Sequence, residues 1–304
     1  MAQNYAEKYA SKVDERFAKA SLTNSVLNND YDFDGVKTVN IYSIDTVALG
    51  NYQMSGTSRY GTPAELNDTV QTLTLTQDKA FTFTIDKRNA ADSNGAKAAG
   101  VALRRQVDER VIPEIDKYRL AAMVANAGTT NTGAITAANA YEAFLDLQNV
   151  LLENNAPAAN RTAFVSPTFF KAIKLDDSFI QASDMAQEML VNGSVGAVDG
   201  VNIVPVPASY LPENTEIIIV HKSAVVSPVK LANYFTHENP PGINGTLVEG
   251  RIYFDAFVLD NKKMSIAVHK SAVVEDGDDN VGDGGDDNVG DGGDDTEGGD
   301  GNGT

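Results

Sequence analysis

The chain has 304 residues, no cysteine, no tryptophan and a formal net charge of −18. That length suits one or two domains of about 100–200 residues each, and the ordinary apolar content allows a sizeable core. Without cysteine there is no disulfide framework and no thiolate nucleophile or ligand, and no basic stripe marks a protein built to grip nucleic acid.

The acidity is uneven. Residues 275–304 hold twelve acidic side chains and no basic one, so the 42 acids of the whole chain fall to 30 elsewhere, against 24 bases, or −6. The start, MAQNYAEKYASKVDERF, is polar and lacks the apolar stretch of a secretory signal. No run approaches the roughly 18–20 apolar residues that span a membrane. These features fit a protein made in a reducing cytoplasm.

Residues 4–20 read as an amphipathic helix, because Tyr5, Tyr9, Val13 and Phe17 recur every fourth position while Lys8, Lys12, Glu15 and Lys19 take other faces. One short helix is marginal in water, so the stripe docks on something: its own domain or a neighbouring subunit. From 36 to 85 the pattern changes to alternation. Val36, Val39 and Ile41 open an extended stretch, and Leu73, Leu75, Phe81, Phe83 and Ile85 then alternate with threonine, as strands do. Gln77, Asp78 and Lys79 make a link short enough for a hairpin. Residues 53–66, between the outer strands, are rich in Gly, Ser and Thr with little apolar content. A long hairpin of this kind has few core contacts and is expected to project from the body.

Residues 95–127 carry a long helical pattern, with Val101, Val107, Val111, Ile115, Leu120 and Val124 on one side and Arg104, Arg105, Asp108, Glu109 and Arg110 opposite or flanking. Pro113 predicts a bend or a split, and Ala127-Gly128 a stop. A helix over 137–152, a short buried strand over 162–165 and a helix start over 168–174 follow, the last capped by Ser166 with Pro167 behind it. Residues 185–190 read as a further turn or helix. Asp199-Gly200 marks a turn before the strand VNIVPVP and the continuous apolar strand EIIIV at 216–220. Strands are expected over 225–235, 250–259 and 263–268, the last two joined by a hairpin at Asp260, Asn261 and Lys262. After Val274 the unit DGGDDNVG recurs every eight residues with almost nothing apolar, which predicts disorder.

No constellation carries chemistry, so catalytic, cofactor-binding and metal residues are all expected to be absent. His221, His237 and His269 stand far apart with no HExxH spacing. Ser194, in NGSVG, follows no strand and makes no nucleophile elbow. Gly193, Gly196 and Gly200 punctuate a loop rather than form a dinucleotide fingerprint, and no phosphate-binding GxxxxGK[ST] loop is present. Carboxylates abound, but without a pocket they say little about catalysis. The tail repeat has a period of eight rather than the nine of calcium-binding β-helix repeats and lacks their stacking apolar residue. It suits weak, scattered Ca²⁺ or Mg²⁺ association, not a folded metal site.

Five stretches in order, YAEKYASKVDERF, SGTSRYGTPAELNDTVQTLTLTQDKAFTFTID, ALRRQVDERVIPEIDKYRLA, AFVSPTFFKAIK and GAVDGVNIVPVP, resemble the major capsid proteins of tailed bacteriophages, and in particular those of phages of low-GC Gram-positive bacteria. The resemblance covers most of residues 1–270. It implies an α+β fold shared with the herpesvirus capsid floor: an N-terminal arm (1–34), an extended loop with its base strands (35–90), a peripheral domain with a long spine helix (91–135), an axial domain (136–228), returning peripheral strands (229–274) and an added acidic tail (275–304).

It further implies a structural role rather than an enzymatic one. Copies assemble as hexamers and pentamers into an icosahedral shell around double-stranded DNA, form a procapsid that matures, and use no cofactor and no membrane. The implied partners are a portal, the packaged DNA contacted non-specifically, and a decoration protein on some shells. The arm begins at residue 1, which points to a separate scaffolding protein, and no Lys–Asn cross-link residues match. Assembly is expected in the host bacterial cytoplasm and residence in the virion capsid. Dense DNA repels a polyanion, which places the tail outside the shell. An encapsulin-like nanocompartment of the same fold is the alternative. An exported adhesin or calcium-binding repeat protein lacks its signal, and an enzyme lacks its site.

Overall fold

The structure is a computed structural model and describes residues 21–31, 37–63, 65–92, 99–182 and 196–272. β1 (Thr38–Ile44) and β2 (Asp68–Thr74) pair antiparallel, and β3 (Gln77–Asp86) follows. Next come α1 (Lys87–Asp92), α2 (Ala99–Gln106), a π-helical turn (Val107–Val111) and α3 (Ile112–Ala125). The middle of the chain supplies β4 (Thr129–Thr132), α4 (Ala140–Glu153), β5 (Arg161–Val165), α5 (Pro167–Lys174), α6 (Asp177–Ala182), β6 (Ala197–Val198), β7 (Val201–Pro205) and β8 (Thr215–His221). The chain returns through β9 (Val225–Val226), β10 (Val229–Glu238), β11 (Gly245–Phe254), β12 (Phe257–Val258) and β13 (Ile266–Lys270). All described residues lie in one compact unit that ends at Ala272. The expected helix at 4–20, the turn at 185–190 and the tail lie outside the described residues.

The apolar run at 216–220 sits inside a six-stranded mixed sheet ordered β4-β13-β8-β5-β7-β6. A strand buried on both faces needs apolar residues at every position rather than every second one. On β8, Ile217 and Ile219 pack into one cluster with Phe144, Leu147 and Leu151 of α4 and Phe169 and Ile173 of α5. Ile218 and Val220 point the other way, to Leu120, Met123 and Val124 of α3. β5 divides likewise, with Ala163 and Val165 in the first cluster and Phe164 in the second. Ser166 caps α5 as expected, its Oγ accepting from Phe169 N at 3.0 Å and donating to Glu216. Asp199 (φ 48°) and Gly200 (φ 77°) make the tight β6–β7 turn.

The long helix does not break at Pro113. It runs from Ala99 to Ala125 through the π-helical turn, where Ile112 N donates to Val107 O, five residues back. Proline has no N–H to give and its ring crowds the preceding turn. The wider π turn directly ahead leaves Pro113 in the first turn of α3, where a missing donor costs least.

Two turn expectations are corrected. Gln77, Asp78 and Lys79 are not a hairpin link. They belong to β3, which leaves β2 and pairs with β11 in a second sheet ordered β10-β11-β3. Threonine–apolar alternation reads the same whether the partner strand is adjacent or far away in sequence. Asp260, Asn261 and Lys262 likewise open a helical turn (Asp260–Ser265), because β12 pairs with β9 while β13 inserts between β4 and β8. The polar strand β4, TTNT, gave no signal of its own; it forms by pairing parallel to β13.

β11 begins against β3 so closely that a Cβ at Gly245 would stand 2.1 Å from Ile85 O. Backbone at that position cannot step aside cheaply. Gly245→Ala is therefore expected to destabilise the fold by roughly 2–4 kcal/mol, read as a lowered denaturant midpoint. An unchanged midpoint would contradict the register of β3 on β11.

Candidate assembly surface

β1 and β2 form the root of the projecting loop. Asp45 N donates to Asn67 O at 3.1 Å one step beyond their ladder, and the chain then leaves the sheet. The root is tied to the body. Leu73 and Leu75 pack with Val226 and Leu259, and Gln71 exchanges hydrogen bonds with Val258 O (2.9 Å) and Asp260 N (3.1 Å). Farther out, Gln53 N donates to Arg59 O at 3.0 Å, and the Tyr52 and Tyr60 rings meet edge to face at 5.1 Å.

Residues 53–66 hold little apolar content, yet the hairpin as a whole carries most of the exposed apolar side chains. Of the fifteen large apolar side chains that stand exposed among the described residues, nine lie within 42–70. Leu49 is fully exposed, Tyr60 is 93% exposed and Met54 88%. Apolar side chains gathered on one projection mark an interaction surface, and a two-stranded hairpin is marginal without a partner.

The segment before β1 is held by two buried ionic residues that the sequence did not single out. Asp116 on α3 accepts from Ser21 Oγ (2.8 Å), Leu22 N (2.8 Å) and Thr23 Oγ1 (2.6 Å). One turn on, Arg119 donates to Thr23 Oγ1 (3.0 Å), Asn24 Oδ1 (2.7 Å) and Ser227 Oγ (2.8 Å). Burial lowers the pKa of the guanidinium, and the Asp116 charge 3.8 Å away opposes that. Val26 and Leu27 then enter the core, and Asn28 N donates to Val225 O at 2.8 Å.

The three histidines lie on different strands, β8, β10 and β13, and are not brought together. Among the described residues no group of three His, Asp or Glu side chains is placed to hold a metal ion. No helix there is long and apolar enough to cross a membrane. Gly196 precedes β6 and Gly200 lies in the β6–β7 turn, whereas Gly193 and Ser194 fall outside the described residues.

His269 is nearly buried, and its Nδ1 has no hydrogen-bond partner among the described residues. Burial lowers its pKa, with the Glu216 charge opposing; His221 is lowered by burial and then by the Arg161 charge. Both rings therefore take up protons less readily in the native state than when unfolded. Their contribution is fully present above the unfolded value near pH ~6.5 and is lost as pH falls through the lower folded values. Thermal melts from pH 8 to 5 are expected to show falling stability, with a flatter slope for His269→Leu. An identical slope in that variant would remove His269 from the account.

Residues 65–268, about two thirds of the chain, match a family model described as phage capsid protein. A search of curated proteins found no significant match. Among solved structures, a chain of Mycobacterium phage Che8 is 17% identical with a TM-score of 0.72, covering 88% of this chain and 98% of that one. A chain of the capsid structure of cyanophage P-SCSP1u is 13% identical with a TM-score of 0.73, covering 88% and 92%. A chain of the acidic stable capsid structure of Helicobacter pylori bacteriophage KHP30 is 14% identical with a TM-score of 0.63, covering 89% and 96%. At such low identity these likenesses describe the fold.

Proposed function

Because the chain belongs to the phage capsid protein family, and so is a structural component of a phage shell, we propose that it follows the tailed-phage plan in detail. Residues 1–34 form the arm and 35–90 the extended loop with its base strands. Residues 91–135 and 229–274 form the peripheral domain, and 136–228 the axial domain around the five-fold and six-fold axes. Copies assemble as hexamers and pentamers in the host cytoplasm, with a separate scaffolding protein and a portal, and a decoration protein can bind outside. The shell holds double-stranded DNA by non-specific contact, and the chain carries out no catalysis. The resemblance to phages of low-GC Gram-positive bacteria extends the proposal to a host of that kind.

The observation that carries this reading is the concentration of exposed apolar side chains on one projection rooted in a well-packed body. Such a surface suits burial against another copy better than chemistry. The test is electron microscopy of the chain co-expressed with its scaffold, where closed shells are expected. Soluble monomers under every assembly condition would overturn it. The encapsulin-like alternative has less support, since the matching family model is one of phage capsid proteins.

Residues 275–304 belong outside the shell on this reading, away from the like-charged genome. Protease added to intact particles is expected to trim them. Protection that lasts until the shell is opened would place the tail inside instead.

A further inference from the structure

We propose that the buried Asp116–Arg119 pair on α3 is a positioning site for the N-terminal arm, fixing where the chain leaves the body and thereby controlling shell assembly. This rests on the reading of residues 1–34 as the arm. Four consecutive residues, Ser21 to Asn24, give their side-chain or backbone polar groups to this one pair. Both charges are almost completely buried, at 1% and 3% exposure.

Stability alone is a poor reason to bury such a pair. Replacing one by apolar residues of similar volume is often neutral or stabilising, because the desolvation of both charges offsets their attraction. What apolar residues cannot do is fix the direction of a polar backbone segment. Here the carboxylate takes Leu22 N and two hydroxyls while the guanidinium takes the Asn24 side chain, so the segment is held on two sides at once. Immediately beyond, Leu27 bridges to Val225 and Asn28 Nδ2 donates to Ser223 O at 3.2 Å. Ser227, between β9 and β10, closes the site through Arg119 Nε. The pair thus connects the arm's exit, the long helix and the returning strands. Anything that turns the chain at Ser21 must act against hydrogen bonds to buried charged groups, which are stronger than neutral ones.

The test uses two full-length variants. Asp116→Leu/Arg119→Met removes the pair but keeps the volume. Ser21→Ala/Asn24→Ala keeps the pair and removes two of its contacts, at half-buried and exposed positions that leave folding intact. In the unassembled subunit, trypsin cutting after Arg16 and Lys19 is expected to speed up by about tenfold or more in each variant that folds, since cutting follows the population of the open form. Co-expression with scaffold is then expected to give no shells or aberrant ones, with the melting temperature of Ser21→Ala/Asn24→Ala close to that of the parent. Unchanged cutting in Ser21→Ala/Asn24→Ala overturns the positioning role, and normal shells despite faster cutting overturn its link to assembly. If the first variant does not fold, the second decides. Normal shells from Tyr9→Asp/Val13→Asp, in which the clamp is intact, would instead overturn the arm reading and leave the cutting result standing.

Discussion

Replacing Leu49 and Tyr60 by aspartate is expected to abolish shell formation while leaving the subunit folded. Both side chains project almost wholly into solvent from a loop whose root, not its tip, is packed on the body. Their removal therefore takes nothing from the core, and circular dichroism and the thermal midpoint of the free subunit are expected to match the parent. In the shell the same side chains are to be buried against a neighbour. Burying one large apolar side chain is worth about 1.5–3 kcal/mol, so losing two weakens each contact by roughly a hundred- to ten-thousand-fold. Placing carboxylates in that contact adds a desolvation cost. Because every subunit repeats the loss, the effect compounds around a closed shell. Shells of normal size and yield, seen by electron microscopy, would show that the loop is not an assembly contact. A control at an exposed apolar site outside the loop, Leu152→Asp on α4, tests whether added charge alone is enough.

The second large effect is on stability. Asp255→Ala is expected to cost about 3–5 kcal/mol, which lowers the melting temperature by roughly 6–20 °C in a domain of this size. Asp255 is 3% exposed and accepts four hydrogen bonds through its carboxylate, each 2.8 Å long: from Thr76 N, Thr76 Oγ1, Tyr118 OH and Ala256 N. Its own carbonyl takes Ser227 Oγ at 2.7 Å. One side chain therefore holds the point where β2 gives way to β3, the long helix and the end of β11. Removing it takes the shared acceptor from the β2–β3 link, the long helix and the chain just after β11 at once. Burial and the bond to Asp255 together raise the pKa of Tyr118, so its hydroxyl stays protonated and keeps donating. Tyr118→Phe removes a single donor and is expected to cost about 1 kcal/mol. An alanine variant within 1 kcal/mol of the parent in denaturant titration would show that solvent reaches these groups. The same site explains why β2 and β3 do not form a hairpin: Thr76 is held by Asp255, and the chain turns into a second sheet there.

Local signals written into the chain survived where they depended on near neighbours. Ser166-Pro167 capped its helix, Asp199-Gly200 made its turn, and EIIIV became a strand buried on both faces. Each follows from backbone conformation or from side-chain alternation within a few residues. The family was legible in the same way, as five stretches in the right order. The expected boundaries of the regular elements shifted by a few residues, as in the helix expected at 137–152 and found as Ala140–Glu153.

What the sequence by itself determined was therefore the kind of protein: an α+β body with a loop and a long helix, and an acidic tail set apart by composition. Only the tertiary structure decided the pairings. β3 chose β11 rather than β2, β13 entered between β4 and β8, and polar β4 became a strand only because β13 offered it an edge. It also decided which charges matter. Nothing in the spacing separates Asp116, Arg119 and Asp255 from the other ionic residues of the chain. A strand's partner, or a buried charge's, is set by contacts between residues far apart in sequence, and the free energy of such contacts exists only once the whole body has closed around them.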